Sequence, residues 1–199
     1  TLDKKRIFYD LIILSTGGLS KFYDKIEGGR SITKNYEEVA ITALVKHNAK
    51  VNNASQFFLK EGPLAVLPFQ KFSFSTVWSI SSDNFKINGK NVKKILLEKL
   101  KTILKTKKIK SVENIQSFPI NLNLKTKYFK KNVLILGDGL HAVHPMAGQG
   151  FNLVLRDIKK LDELMSKSLK LGLLFRHSLL LQDFYNTRKP ENNLFGLGI

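Results

Sequence analysis

Two glycine clusters carry the residues best suited to chemistry. Gly137-Asp138-Gly139 follows four apolar residues, Val133-Leu134-Ile135-Leu136, and Gly148-Gln149-Gly150 precedes a run with apolar residues at Phe151, Val154, Leu155, Ile158 and Leu161. The first run reads as a buried strand and the second as a helix, so the order is strand, glycine-rich loop, helix. Glycines let a backbone pass close to a ligand and adopt φ > 0. The first N–H groups of a helix have no internal partner and lie at the positive end of its dipole. Such a loop can hold an electron-rich or anionic group against the helix start. Asp138, at the carboxyl end of the strand, is placed to accept hydrogen bonds from sugar-type hydroxyls. The loop has no Gly-Lys-Ser/Thr ending and no G-x-G-x-x-G spacing, which separates it from the commoner phosphate loops. His141 and His144 lie within it. His144 precedes Pro145, which favours a conformational role, so no catalytic residue and no metal ligand is assigned.

The wording of the stretch is specific. Gly137-Asp138, His141, Pro145, Gly148-Gln149-Gly150, Asn152 and Asp157 resemble, in type and spacing, the second flavin signature of aromatic-ring hydroxylases that share the p-hydroxybenzoate hydroxylase fold. His144-Pro145 and Ala147-Gly148-Gln149-Gly150 are most similar to the ubiquinone-biosynthesis branch. In that family the Asp binds the ribityl and pyrophosphate region of FAD, and the Pro-to-Gly loop and helix start lie against the flavin ring. The resemblance therefore implies cofactor contacts at Gly137, Asp138, Pro145, Gly148, Gln149, Gly150 and Asn152. Gly139-Leu140 replaces the family's usual small pair, and Leu140 is expected to crowd the turn.

The rest of the chain must position these residues. Its 199 residues, 43% hydrophobic and 10% aromatic, suffice for a sizeable core. There is no Cys, which removes disulfides, thiolate metal sites and a cysteine nucleophile. No apolar run approaches the ~20 residues that span a bilayer. The net charge is +17. The lysines are scattered, with neither an RNA-recognition aromatic motif nor zinc-finger spacing, so no nucleic-acid partner is expected. Overuse of lysine throughout the chain accounts for much of the charge, and attraction to a membrane surface is the other reading.

Ile7 to Leu14 reads as a strand ending in Ser15-Thr16-Gly17-Gly18. The resembled family has Gly-x-Asp-Gly there, followed by a Ser; here Gly17 stands at the Asp, and Ser20 or Lys21 falls near the Ser. Glu27-Gly28-Gly29-Arg30 reads as a linker. Strand-like runs follow at 38–45, 54–59, 61–69 and 72–80, with Pro68 expected to end its strand. Gly62-Pro63-Leu64-Ala65-Val66-Leu67-Pro68 and Ser75-Thr76-Val77-Trp78-Ser79 resemble the family's substrate domain. Residues 92–104 have apolar residues at helical spacing with a lysine face, which suits a surface helix or one lying on anionic lipid. Residues 113–124 resemble the family's return strand, and 128–131 lead into the strand at 133. The helix from Phe151 is expected to reach about Lys167. A further apolar segment, 171–185, leads to Tyr185, Arg188, Lys189 and Asn192, which resemble a family helix. Pro190 is expected to kink or end it.

The expected fold class is mixed α/β: an incomplete Rossmann-like FAD-binding domain with an inserted β-sheet substrate domain. The expected division is 1–30 and 129–199 for the FAD-binding domain and 31–128 for the sheet. No G-x-G-x-x-G run is present, so the chain is expected to be the carboxyl half of a longer protein and to hold FAD poorly by itself. The resemblance implies part of an FAD-dependent monooxygenase, in which O2 and a reduced donor, NAD(P)H, hydroxylate a phenol-type ring of a ubiquinone precursor. The alternatives are another FAD enzyme of the same fold (a prenyl-chain reductase or other ring hydroxylase) and a non-catalytic remnant or subunit. The implied partners are an aromatic, polyprenylated small molecule, a membrane surface and proteins of the ubiquinone pathway. The implied location is cytoplasmic, peripheral on the inner membrane.

Overall fold

The apolar run before Gly137 is a strand, as its composition requires, and it lies beside a second strand from the start of the chain. The computed structural model describes residues 7–18, 22–23, 30–145, 148–175 and 178–197. In chain order the elements are β1 (Ile12–Leu14), β2 (Ser31–His47), β3 (Ser55–Leu59), β4 (Gly62–Gln70), β5 (Ser73–Ser81), α1 (Ser82–Asn88), α2 (Val92–Ile103), β6 (Ile109–Lys125), β7 (Phe129–Lys130), β8 (Val133–Ile135), β9 (His141–Ala142), α3 (Gln149–Lys170) and α4 (Ser178–Leu197). The mixed α/β class expected from the sequence is the class observed. The chain forms two units, residues 1–34 with 121–199, and residues 35–120. β2 and β6 each run through a boundary between the units. The boundaries therefore fall inside strands, where composition does not change, and not at the expected 31 and 128. Of the sequence readings, Ser20, Lys21 and the linker glycines Gly28 and Gly29 lie outside the described residues.

In the 35–120 unit the strand order is β3-β4-β5-β2-β6. β5 pairs antiparallel with β2 in a register that sets Ile41 opposite Trp78 and Val45 opposite Phe74. Side chains alternate across a pleated strand, so Phe74, Thr76, Trp78 and Ile80 share one face. That face joins Ile41, Leu64 and Val66 with Leu96 and Leu100 of α2 in one core. Thr76 satisfies its buried hydroxyl by donating to the Ala65 carbonyl, 2.7 Å away. α2 buries Val92, Leu96 and Leu100, one position per turn; Lys93 and Lys94 are exposed, while Lys99 is half-buried and pairs with Glu61. Pro68 does not end β4: the strand runs on to Gln70, with a register irregularity between Pro68 and Gln70. β3 pairs with β4 only from Gly62 to Val66, so Pro68 has no β3 partner whose carbonyl would need its missing N–H.

The other unit has a three-stranded sheet in the order β1-β8-β7. β1 and β8 are parallel, with Ile12 opposite Val133 and Leu14 opposite Ile135. β1 is shorter than the strand expected at 7–14. Leu134, Ile135, Leu161, Leu181 and Phe184 are core residues here, so the sheet, α3 and α4 share one apolar cluster. Leu140 belongs to the same cluster and is buried; it packs inward and does not crowd the turn. α3 runs three residues beyond the expected Lys167. α4 continues through Pro190 to Leu197. Pro190 and Asn186 are both exposed, so the Asn186 carbonyl that loses its helical donor faces water.

Candidate functional site

The two parallel strands end side by side, each in a glycine turn. Gly17 follows β1 with φ +81°, and Gly137 follows β8 with φ +80°, both in the region that favours glycine. A side chain at either position would meet open space. The turns abut closely: a Cβ on Gly18 would lie 3.3 Å from the Asp138 carbonyl oxygen. Tyr23, buried, bridges them. Its hydroxyl accepts hydrogen bonds from the Thr16 N–H and hydroxyl, both 3.1 Å away. Its ring rests where a side chain on Gly139 would project. Sequence reasoning did not single out Tyr23, because nothing in local spacing ties it to residue 139.

Asp138 sits in a single 3-10 turn, Gly137–Gly139, directly after β8. It is exposed, and its carboxylate accepts no hydrogen bond from a described residue. The turn packs against α3. α3 starts at Gly148, which has φ +65° and caps the helix without any side-chain hydrogen bond. The Gly148 N–H donates to the Pro145 carbonyl at 3.4 Å. Gly148 brings no side chain to the first-turn N–H groups, and a helix start of this kind can receive an anionic or electron-rich group. Pro145 and Asn152 are exposed, and Gln149 and Gly150 are half-buried. Met146 and Ala147 lie outside the described residues. The structure thus gathers Gly137 and Asp138 at the strand end and Gly148, Gln149, Gly150 and Asn152 at the helix start that the turn packs on.

Asp157, the last residue of the signature, does not face this opening. It is fully buried, and three side chains converge on it. The His141 Nε2–H donates to Oδ2 at 2.6 Å, a tautomer required because a carboxylate can only accept. The Arg188 Nε–H donates to Oδ1 at 2.6 Å, and Asn192 Nδ2 reaches the same oxygen at 3.3 Å. Arg188 also donates to the Asn192 side-chain Oδ1 at 3.0 Å and pairs with Glu191. Asn192 in turn donates to the Tyr128 hydroxyl at 3.3 Å. Burial pushes the Tyr128 hydroxyl well above its ordinary value, an effect that the Asn192 hydrogen bond only partly offsets. The network ties β9, α3, α4 and the turn before β7 together behind the candidate loop. His141, expected to serve loop structure, is buried and anchored to Asp157; its Nδ1 finds no hydrogen-bond partner among the described residues. Tyr128 is the member that sequence reasoning missed.

Comparisons with known proteins identify the family. Residues 24–171 match the model of a family described as "FAD binding domain". The chain is 24% identical to the mitochondrial ubiquinone biosynthesis monooxygenase COQ6 of Dictyostelium discoideum, across 96% of this chain and 48% of that protein. It is 29% identical to the ubiquinone hydroxylase UbiL of Rhodospirillum rubrum, across 81% of this chain and 38% of that protein. Among solved structures, PqsL, a probable FAD-dependent monooxygenase from Pseudomonas aeruginosa, superposes with a TM-score of 0.73 at 18% identity, covering 94% of this chain and 54% of that one. Aklavinone-11 hydroxylase, solved with FAD and aklavinone, gives 0.72 at 14% identity, covering 94% and 36%. The chain spans about half the length, or less, of the relatives it matches. On the strength of the family match, this chain belongs to the FAD binding domain family.

Proposed function

We propose that the chain is part of an FAD-dependent monooxygenase that hydroxylates a phenol-type ring of a ubiquinone precursor, using O2 and a reduced donor, NAD(P)H. One observation carries the reading: the exposed Asp138 carboxylate stands in one of two abutting glycine turns at the carboxyl ends of adjacent parallel strands. Ligands of open α/β sheets bind at such strand ends. A flavin dinucleotide suits the residues present. Asp138 would accept hydrogen bonds from its ribityl hydroxyls, and Gly137 would let the backbone approach. Gly148, Gln149 and Gly150 would present helix N–H groups to an electron-rich edge, with Pro145 and Asn152 flanking. The redox chemistry with O2 would come from the cofactor; the protein's part is to bind, orient and keep water out.

The names of the relatives support a ubiquinone precursor as substrate, an aromatic and polyprenylated molecule. Such a substrate fits a peripheral position on an inner membrane among other proteins of that pathway. No helix among the described residues is long and apolar enough to cross a membrane. The test is to purify the gene product from its source cells and record its visible absorbance, then supply a ring substrate under labelled O2. A yellow protein that puts labelled oxygen into the ring is the expected result. A flavin-containing protein that instead reduces a prenyl double bond would move the assignment to a reductase of the same fold. A gene product without flavin would overturn the reading.

A further inference from the structure

The 35–120 unit carries its own charged surface, far from uniform and independent of any flavin reading. Three loops meet at one end of its sheet. They are 48–54 after β2, 71–72 between β4 and β5, and 104–108 between α2 and β6. Two backbone hydrogen bonds hold them together: the His47 N–H donates to the Phe72 carbonyl at 3.0 Å, and the Asn48 N–H to the Lys108 carbonyl at 2.8 Å. The loops contribute Lys50, Lys71, Lys105, Lys107 and Lys108, all exposed, and contain no Asp or Glu. The nearest acid in sequence, Glu113, is already engaged by Lys46 at 3.1 Å and by the Ser111 hydroxyl at 2.8 Å. Lys105, with φ +47°, closes α2 in the left-handed conformation and starts the last of these loops.

Phe69, near the end of β4, and Phe72, beside Lys71 in the following loop, are 64% and 57% exposed. Two large aromatic rings left largely in water beside five exposed lysines, one of which, Lys71, holds its Nζ 5.4 Å from the Phe72 ring centroid, make a poor free surface. A purely electrostatic site would not need the rings, and an apolar protein interface would not keep the charges. The combination matches the boundary of an anionic bilayer, where lysines stay among the headgroups and aromatic rings enter the acyl boundary.

We propose that this sheet end is a docking surface for an anionic lipid bilayer, seated by Phe69 and Phe72 and attracted by the loop lysines. The sequence expectation of an interfacial helix at 92–104 is thereby relocated to the loops at the end of that helix.

The experiment is co-sedimentation of the full chain with phosphatidylcholine vesicles, with and without an equal part of phosphatidylglycerol. Partition into anionic vesicles, weakened by salt, is expected. The triple variant K105Q/K107Q/K108Q should lower it by about a hundredfold, from about 1 kcal/mol per lysine at the surface. F69S/F72S should lower it by about tenfold while leaving the charge intact. The charge-matched control K159Q/K167Q/K170Q, on α3, should leave it within about twofold of the parent. Circular dichroism of each variant checks folding, and the serine pair provides a second route should the lysine triple fail to fold. Absence of partition by the parent chain overturns the proposal. So does equal loss in the two lysine triples, which would reduce the effect to net charge. Retention on single-stranded DNA without vesicle binding would assign the surface to nucleic acid instead.

Discussion

The ring of Tyr23 occupies the space that a side chain at residue 139 would need: a Cβ on Gly139 would lie 2.1 Å from the Tyr23 Cζ. Gly139→Ala is therefore predicted to displace Tyr23 and to cost about 1–3 kcal/mol, the range for overpacking a buried site. Urea unfolding of the two proteins measures it. A loss below a few tenths of a kcal/mol would show that the ring yields freely. Tyr23→Phe should cost less, since it keeps the ring and removes only the hydroxyl that receives the two Thr16 hydrogen bonds.

Asp157 neutralises Arg188 inside the core and holds His141. Asp157→Ala leaves the buried Arg188 guanidinium with only the half-exposed Glu191 carboxylate, so the cost should fall near or below the lower end of the about 3–5 kcal/mol for breaking a buried pair. The expected outcome is a large fall in the unfolding midpoint. Double replacement with Arg188→Met should be milder than the sum of the single changes, because it removes both buried charges. A strictly additive pair in a double-mutant cycle would contradict the network.

Tyr128 gives an alkaline signature. Burial raises its folded pKa above the ordinary 10.0, so the folded form keeps the proton that the unfolded chain releases. Its contribution is complete below the unfolded value and is lost as the pH rises from there toward the folded one. Comparing urea midpoints at pH about 8 and about 11 should show a steeper loss for the parent than for Tyr128→Phe. Equal slopes would show that Tyr128 ionises without resistance.

Pro190 sits inside α4 on its exposed side. Pro190→Ala restores an N–H to the Asn186 carbonyl and should stabilise the chain by about 1–3 kcal/mol. A rise in thermal midpoint is the expected reading. A fall would mean that the proline ring makes a contact worth more than the missing hydrogen bond.

Part of this architecture was legible along the chain. The run Val133–Leu136, the two glycine clusters and the apolar spacing from Phe151 announced strand, loop and helix, because side-chain periodicity is a local property. The buried face of α2 followed from Val92, Leu96 and Leu100 for the same reason. The spacing from Gly137 to Asp157 also carried the flavin-family resemblance, and Tyr185, Arg188, Lys189 and Asn192 were legible as a family-like helix. Tertiary structure alone decided what those residues touch. Asp157 turned inward to His141 and Arg188, and Asp138 stayed in the open. Tyr23 met Gly139, and Tyr128 met Asn192, across long stretches of chain whose intervening sequence sets no register between them. Pro68 and Pro190 were read as breakers from their backbone chemistry, yet both sit within regular elements, since the missing N–H matters only where a carbonyl lacks another partner. Phe69, Phe72 and the lysines of three separate loops likewise became one surface only when β2, β5 and β6 paired and brought their loops to one end of the sheet.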